Sequence, residues 1–143
     1  MRTYKPLIFF ILLSLFPLFS YGEEFFVSNE NNIISELRPG QKVTAGFMDI
    51  TVSKDAKIIK IEAEMIGFIE AHSMIMDDEI MKMRKITPEL VKNKKYKFQP
   101  GGNHLMLFEV DRGLKSGDDV SLLFTFQLKN KKISTKFIKF KIK

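Results

Sequence analysis

Short segments rich in β-branched and aromatic residues, separated by turn residues, make up most of the chain after residue 42. Side chains of these types favour strands, whereas Gly, Pro, Asn, Asp and Ser favour the turns between them. The last segment alternates as a half-buried strand should, because Ile138, Phe140 and Ile142 share one face and lysines take the other. We therefore predict strands at 43–52, 56–64, 67–76, 80–86, 104–110, 120–128 and 133–142.

Many short strands joined by turns at this spacing favour an all-β fold, an antiparallel Greek-key sandwich or barrel. The only helical indication is a single turn at 87–90, TPEL. Phenylalanine is abundant, with 14 residues, and those at strand positions are expected to fill the core. With no repeat and no linker, residues 23–143 are predicted to form one domain, which is long enough for one core.

The first 22 residues have the layout of a secretory signal peptide. Arg2 and Lys5 precede an apolar run at 7–19, and the small residues of SYG at 20–22 fit a cleavage site after Gly22. The alternative is an uncleaved membrane anchor, but the run is shorter than the roughly 20 residues that a span needs. No cysteine follows the run, which excludes a lipid-modified cysteine anchor. We expect an exported protein without stable membrane insertion after cleavage.

Charge and cysteine content narrow the possible partners. Removing Arg2 and Lys5 lowers the formal charge from +6 to +4, a mild excess that gives little support to nucleic-acid binding. The chain has no cysteine, so its core has no disulfides and any soft-metal chemistry must use methionine and histidine.

The sequence lacks the usual catalytic constellations. It has no cysteine nucleophile, no Gly-x-Ser-x-Gly elbow and no phosphate-binding glycine loop before a helix. The acidic run at 77–79 lies where a hairpin is expected to turn, so these residues are interpreted as turn formers. A non-enzymatic protein is the expectation.

Methionine placement is the unusual feature of the chain. Five of the eight methionines lie in the same two stretches as both histidines: Met74, Met76, Met81, Met83 and Met106, with His72 and His104. Side chains two apart on a strand share a face, so each stretch presents its methionine and histidine side chains together.

The register of the hairpin formed by 67–76 and 80–86 decides which residues are opposite each other. A turn centred at 77–78 places His72 opposite Met83, whereas a turn centred at 78–79 places Met74 opposite Met83. Both alternatives give a surface of thioethers and imidazole. His104 and Met106 also share a face, directly after the Pro-Gly-Gly turn at 100–102.

Such a donor set favours Cu(I), because thioethers are soft, neutral ligands and imidazole completes the set. Zinc prefers Cys, His or carboxylate, and calcium prefers oxygen. The candidate metal ligands are His72, Met83, His104 and Met106, with Met74 or Met81 as alternatives to Met83. The competing interpretation is that the methionines only fill gaps in the core, which is their commonest role.

Two stretches resemble the periplasmic PCuAC-type copper chaperones: EAHSMIMDDEIMKMRKI at 70–86 and FQPGGNHLMLF at 98–108. The likeness continues through GLKSGDDVSLLFTF at 113–126 and covers roughly residues 45–143, most of the predicted mature chain. The resemblance implies a cupredoxin-like fold, a periplasmic location and Cu(I) held by the four candidate ligands. It also implies delivery of copper to an exported acceptor, such as the binuclear copper site of cytochrome oxidase subunit II, by a protein expected to be a monomer.

The chain departs from the family pattern at several points. Ser73 stands where the family often has Met, Glu79 stands at a turn position that often holds Gly, and one residue fewer separates Met83 from His104. The chain ends in KFKIK, without the His- and Met-rich tail that gives some members a second site, so one site is expected. Two rival functions stay open: an envelope adhesion or interaction module without metal, and copper buffering or tolerance without a dedicated recipient.

Overall fold

The computed structural model describes residues 24–143, so the predicted signal peptide and its cleavage site lie outside the described residues. Within that range the structure has strands and no helix, and hence no helix that could span a membrane. The strands are β1 (Val27–Ile34), β2 (Thr44–Val52), β3 (Ala56–Glu62), β4 (Ile66–Asp77), β5 (Ile80–Ile86), β6 (Glu89–Leu90), β7 (Tyr96–Phe98), β8 (His104–Val110), β9 (Asp119–Leu128) and β10 (Ile133–Ile142).

The strands form one continuous path in the order β5-β4-β8-β2-β1-β10-β9-β3-β6, with β7 pairing with β2. All pairings in the described chain are antiparallel except that of β1 with β10, which is parallel at Ile33 and Ile34. The path folds back on itself, so that β3 near one end meets β4 near the other through a bridge between Ala63 and Ile66. The predicted all-β sandwich is confirmed.

All the predicted strands are present, and three further strands were not predicted. β1 has the polar sequence VSNENNII, whose pattern is broken by a bulge at Asn31, where φ is 58°. β6 and β7 are two and three residues long, too short to show a period. The helical turn predicted at 87–90 is wrong: Leu90 pairs with Ala56, and the carbonyl of Pro88 accepts a hydrogen bond from the backbone N–H of Ile58.

Phenylalanine side chains occupy the centre of the core, as expected. Phe98, Phe124, Phe126 and Phe140 are among the largest fully buried side chains, and the Phe124 ring stacks on Phe126 and Phe140 at centroid distances of 6.1 and 6.2 Å. Three others do not belong to the core, since Phe26, Phe68 and Phe137 are exposed on outer surfaces. A phenylalanine at a strand position can therefore face solvent and not the core.

The β4–β5 hairpin turns at Asp78 and Glu79, which both have positive φ (47° and 65°), as a two-residue type I′ turn requires. This is the second of the two registers that the sequence allowed. β4 pairs with β8 only as far as His72, so residues 73–84 form a two-stranded ribbon that pairs with nothing else in the described chain. We call residues 73–84 the ribbon.

Candidate metal site

Three neighbouring strands place their methionine and histidine side chains on one outer face. Residues that pair across strands share a face, and alternate residues along a strand share it too. We call this surface the Met/His face; it comprises Glu70, His72, Met74 and Met76 of β4, Met81, Met83 and Lys85 of β5, and His104 and Met106 of β8. The opposite side of β4 and β8 faces the core, where Ala71, Leu105 and Leu107 are buried.

The two histidines form one cross-strand pair at the centre of the Met/His face. His72 pairs directly with His104, and their ring centroids lie 6.0 Å apart. His104 is only 8% exposed although it is on the outer side of the strand, and His72 is also largely covered. The structure therefore brings together two residues that are 32 positions apart in the sequence.

A carboxylate fixes the tautomer of His72. Nε2 of His72 lies 2.8 Å from Oε2 of Glu70, and because an ionised carboxylate only accepts hydrogen bonds, Nε2 carries the proton. In the neutral ring Nδ1 then holds a lone pair. This Nδ1 is buried and has no hydrogen-bond partner in the described chain. A buried polar atom without a partner costs free energy, so it marks a place where a ligand can bind.

A backbone carbonyl fixes the tautomer of His104 in the same way. Nδ1 of His104 lies 3.0 Å from the carbonyl oxygen of Gly102, so Nδ1 donates and Nε2 keeps the lone pair. The turn at 100–102 that places this carbonyl is closed by the N–H of Gly102, which donates to Gln99, and has Gly101 at φ 80°. Both imidazoles thus donate one N–H to an oxygen and keep the other nitrogen free, as metal-binding histidines almost always do.

Residues that pair across the strands of the Met/His face form a row, and the methionines lie in the rows on either side of the histidine pair. Met106 pairs with Glu70, one row towards the start of β4, and is half-buried. Met74 pairs with Met83 in the row on the other side, and Met76 pairs with Met81 one row further out. Met83 and Met106 are therefore diagonal neighbours of His72, within reach for long side chains.

The observed register changes how the alternatives to Met83 compare. The residue opposite His72 is Lys85, and neither Met83 nor Met81 lies there. Met74 and Met83 share the row next to the histidines, whereas Met81 lies in the row beyond it. Met81 is thus the poorest substitute, and Met74 is as near in register as Met83.

Glu70 contacts both His72 and the cationic side chain of Lys85. The hydrogen bond from His72 holds the pKa of the Glu70 carboxyl below its ordinary value, and Lys85, whose Nζ is 3.7 Å from Oε1, lowers the pKa further. The carboxylate therefore stays ionised at neutral pH and keeps accepting from His72. Sequence reasoning missed Glu70, although its signal was present: it is two residues before His72 and so on the same face.

An aromatic pair borders the histidines on the side away from the ribbon. Phe68 and Phe108 stack with centroids 4.5 Å apart and planes within 10°, and the Phe108 ring lies 6.3 Å from that of His72. These two rings were expected in the core. They instead lie on the outer side of β4 and β8, next to the Met/His face.

Residues 24–143 contain no group of three or more His, Cys, Asp or Glu side chains that could hold a metal ion together. The side chains beside the two histidines on the Met/His face include the thioethers of Met74, Met83 and Met106, which are soft donors. The unpartnered Nδ1 of His72 and the methionine rows fit a soft ion.

Comparison with protein families identifies the family of the chain. Residues 27–137 match a family model described as "Putative lipoprotein LpqE-like". The chain belongs to the LpqE-like family. The LpqE-like chain is also 34% identical over 85 residues to the uncharacterized protein RP573 of Rickettsia prowazekii (strain Madrid E). That match covers 58% of the chain and 47% of RP573, so the chain spans about half the length of this relative.

Solved structures, PCuAC domains among them, share the fold of the LpqE-like chain. The apo PCuAC domain from PmoF1 superposes with a TM-score of 0.63 over 82% of this chain and 92% of that domain, at 16% identity. The copper-bound PCuAC domain from PmoF2 gives a TM-score of 0.60 at 12% identity, covering 82% and 93%. The solution structure of apo-DR1885 from Deinococcus radiodurans gives 0.55 at 19% identity, covering 82% and 78%. At these sequence identities the likeness shows a shared fold and nothing more.

Proposed function

We propose that the protein is an exported, non-enzymatic Cu(I) metallochaperone that binds one tightly held copper ion at the histidine pair and passes it to a partner. The observation that carries the proposal is the pair of imidazoles, each locked by an oxygen acceptor so that one nitrogen is free. His72 would bind through Nδ1 and His104 through Nε2, with Met106 and Met83 as thioether ligands. The domain would be residues 23–143, after removal of a signal peptide at 1–22.

Two further observations support copper as the cargo. The methionine rows adjoin the histidine pair on the same face, and thioether with imidazole is a donor set that favours Cu(I). The fold is shared with a PCuAC domain that has been solved with copper bound.

Release of the ion follows from the neutrality of the ligands. Thioether and imidazole donors balance no charge on Cu(I), unlike thiolates, and Met83 is largely exposed on an edge strand. Incoming ligands of an acceptor can therefore replace Met83 first, while His104, buried on β8 on the far side of β4, leaves last. An exported copper protein is the expected acceptor, with cytochrome oxidase subunit II as one candidate.

The proposal is tested by titrating the protein with Cu(I) in the presence of a chromophoric Cu(I) chelator. We expect the protein to withdraw one equivalent from the chelator, and to withdraw no Zn(II) from a zinc indicator of similar strength. No withdrawal of Cu(I) would refute the proposal and favour an interaction module without metal. Cu(I) uptake without transfer to exported copper proteins would favour buffering.

Replacing Glu70 should weaken Cu(I) binding although Glu70 is not a ligand. Outer partners of ligating histidines are typically worth about 10- to 100-fold in metal affinity. Glu70→Gln keeps an acceptor for His72, so we expect a loss of about tenfold, whereas Glu70→Leu removes the acceptor and should lose about 100-fold. Competition with the chelator measures both affinities.

The control for Glu70 is Glu62→Gln. It removes a carboxylate on β3, away from the Met/His face, that forms an ion pair with Lys60 of the same strand. Its Cu(I) affinity should equal that of the wild type. Nitrogen-15 shifts of His72 report its tautomer directly, and Glu70→Leu should reduce the population protonated at Nε2. An unchanged tautomer in Glu70→Leu would contradict the positioning role.

A further inference from the structure

Three large apolar side chains are exposed at the end of the ribbon, where a hairpin tip in water is ordinarily polar. Met76 is 64% exposed, Met81 53% and Ile80 60%. Packing cannot explain the two methionines, because the ribbon pairs with nothing else in the described chain beyond His72. The core-filling role that methionine commonly has is thus ruled out for Met76 and Met81.

The hairpin register brings these two thioethers together. In a two-residue hairpin Asp77 and Ile80 form the first hydrogen-bonded pair, so Met76–Met81 and Met74–Met83 are both non-hydrogen-bonded pairs. Side chains approach most closely at such pairs, with Cβ atoms about 5 Å apart. Two flexible thioethers at this separation can both reach one soft ion.

Charge on the ribbon is arranged around the Met76–Met81 pair. Lys82 and Arg84 alternate with the methionines and so point to the other face, where Lys82 Nζ lies 3.1 Å and Arg84 Nη2 3.9 Å from Oδ2 of Asp77. The exposed carboxylates of Asp78 and Glu79 form the tip next to Met76 and Met81. A cation that approaches the tip therefore meets negative charge and neutral donors, with the nearby cations directed away.

We propose that Met76 and Met81 form a second, weaker soft-metal site that captures Cu(I) from solution or from a donor before it reaches the histidines. The inference rests on the proposed copper function. Successive rows are about 7 Å apart along a strand, so the Met74–Met83 row lies between the capture pair and the histidine pair. Exchange of one thioether at a time would then move the ion along the face. The capture pair has no imidazole, which is why it binds more weakly than the histidine site.

The test is an NMR titration of the protein, labelled with carbon-13 at its methionine methyls, with Ag(I), a soft monovalent ion that does not change oxidation state. We expect the Met106 methyl and both imidazoles to shift with the first equivalent and the Met76 and Met81 methyls with the second. The Met65 methyl is an internal control, because it is exposed but lies outside the Met/His face. It should not move.

Two variants separate the sites. Met76→Leu with Met81→Leu should lose the second binding event, take up Cu(I) more slowly from a Cu(I)–chelator complex, and keep the equilibrium affinity of the first site. His72→Ala with Met106→Leu should keep the Met76 and Met81 shifts.

The remaining outcomes would refute the capture site alone or the capture site together with the proposed function. Shifts at Met106 without shifts at Met76 and Met81 would overturn the capture site and leave the chaperone function standing. Equal shifts at Met65 would mean unspecific thioether binding and would also overturn it. If no methyl or imidazole responds, the capture site and the proposed function both fail.

Discussion

A His72→Ala, Met106→Leu double variant is expected to lose the ability to withdraw Cu(I) from the chelator. Both residues are proposed ligands on adjoining strands, so the variant keeps only His104 and the ribbon methionines. The loss should exceed the roughly 100-fold that removal of an outer partner can cause. Competition titration of the double variant beside the wild type measures it.

The fold should survive this double substitution, which makes the result interpretable. His72 and Met106 lie on the outer side of β4 and β8. Alanine at 72 removes a buried nitrogen that has no partner together with one hydrogen bond to Glu70, which keeps its ion pair with Lys85. We expect the metal-free variant to unfold within a few degrees of the wild type. Met65→Leu serves as the matched methionine control and should bind Cu(I) normally. Undiminished Cu(I) affinity of the folded double variant would eliminate the histidine site.

The sequence predicted most of the fold because its strands carry their own signals. In β10 the alternation of Ile138, Phe140 and Ile142 with lysines is confirmed, since the three apolar side chains are buried. β1 has no such signal: it is held by its neighbours on both sides and contains a bulge. Elements of this kind are defined by tertiary pairing, so a local pattern does not reveal them.

The candidate site was predictable as a set of residues but not as an arrangement. Spacing alone placed His72 with the ribbon methionines and His104 with Met106. It could not give the direct pairing of His72 with His104, because that depends on which strands are neighbours in the sheet. Nor could it choose the hairpin register, because the turn that forms needs positive φ at Glu79 as well as at Asp78, and Glu is not among the residue types enriched there.

The largest effect on stability is expected from Phe124→Ala. Phe124 is fully buried and its ring stacks on Phe126 and Phe140. Replacing a buried phenylalanine with alanine typically costs about 3–5 kcal/mol in the free energy of unfolding, through lost burial and the cavity left behind. The total free energy of unfolding of such a domain is typically about 5–15 kcal/mol. Urea unfolding should therefore show a much lower midpoint with an unchanged slope.

Phe137→Ala is the matched control, because the same side chain on β10 pairs with Leu123 beside Phe124 but is 74% exposed. Its free energy of unfolding should stay within about 0.5 kcal/mol of the wild type, as for most surface substitutions. Similar costs at both positions would contradict the placement of the core. Since the Met/His face is the outer side of β4 and β8, whereas Phe124 lies inside the core, the folded fraction of Phe124→Ala should bind Cu(I) with wild-type affinity. Core packing and metal binding are therefore expected to respond independently to mutation.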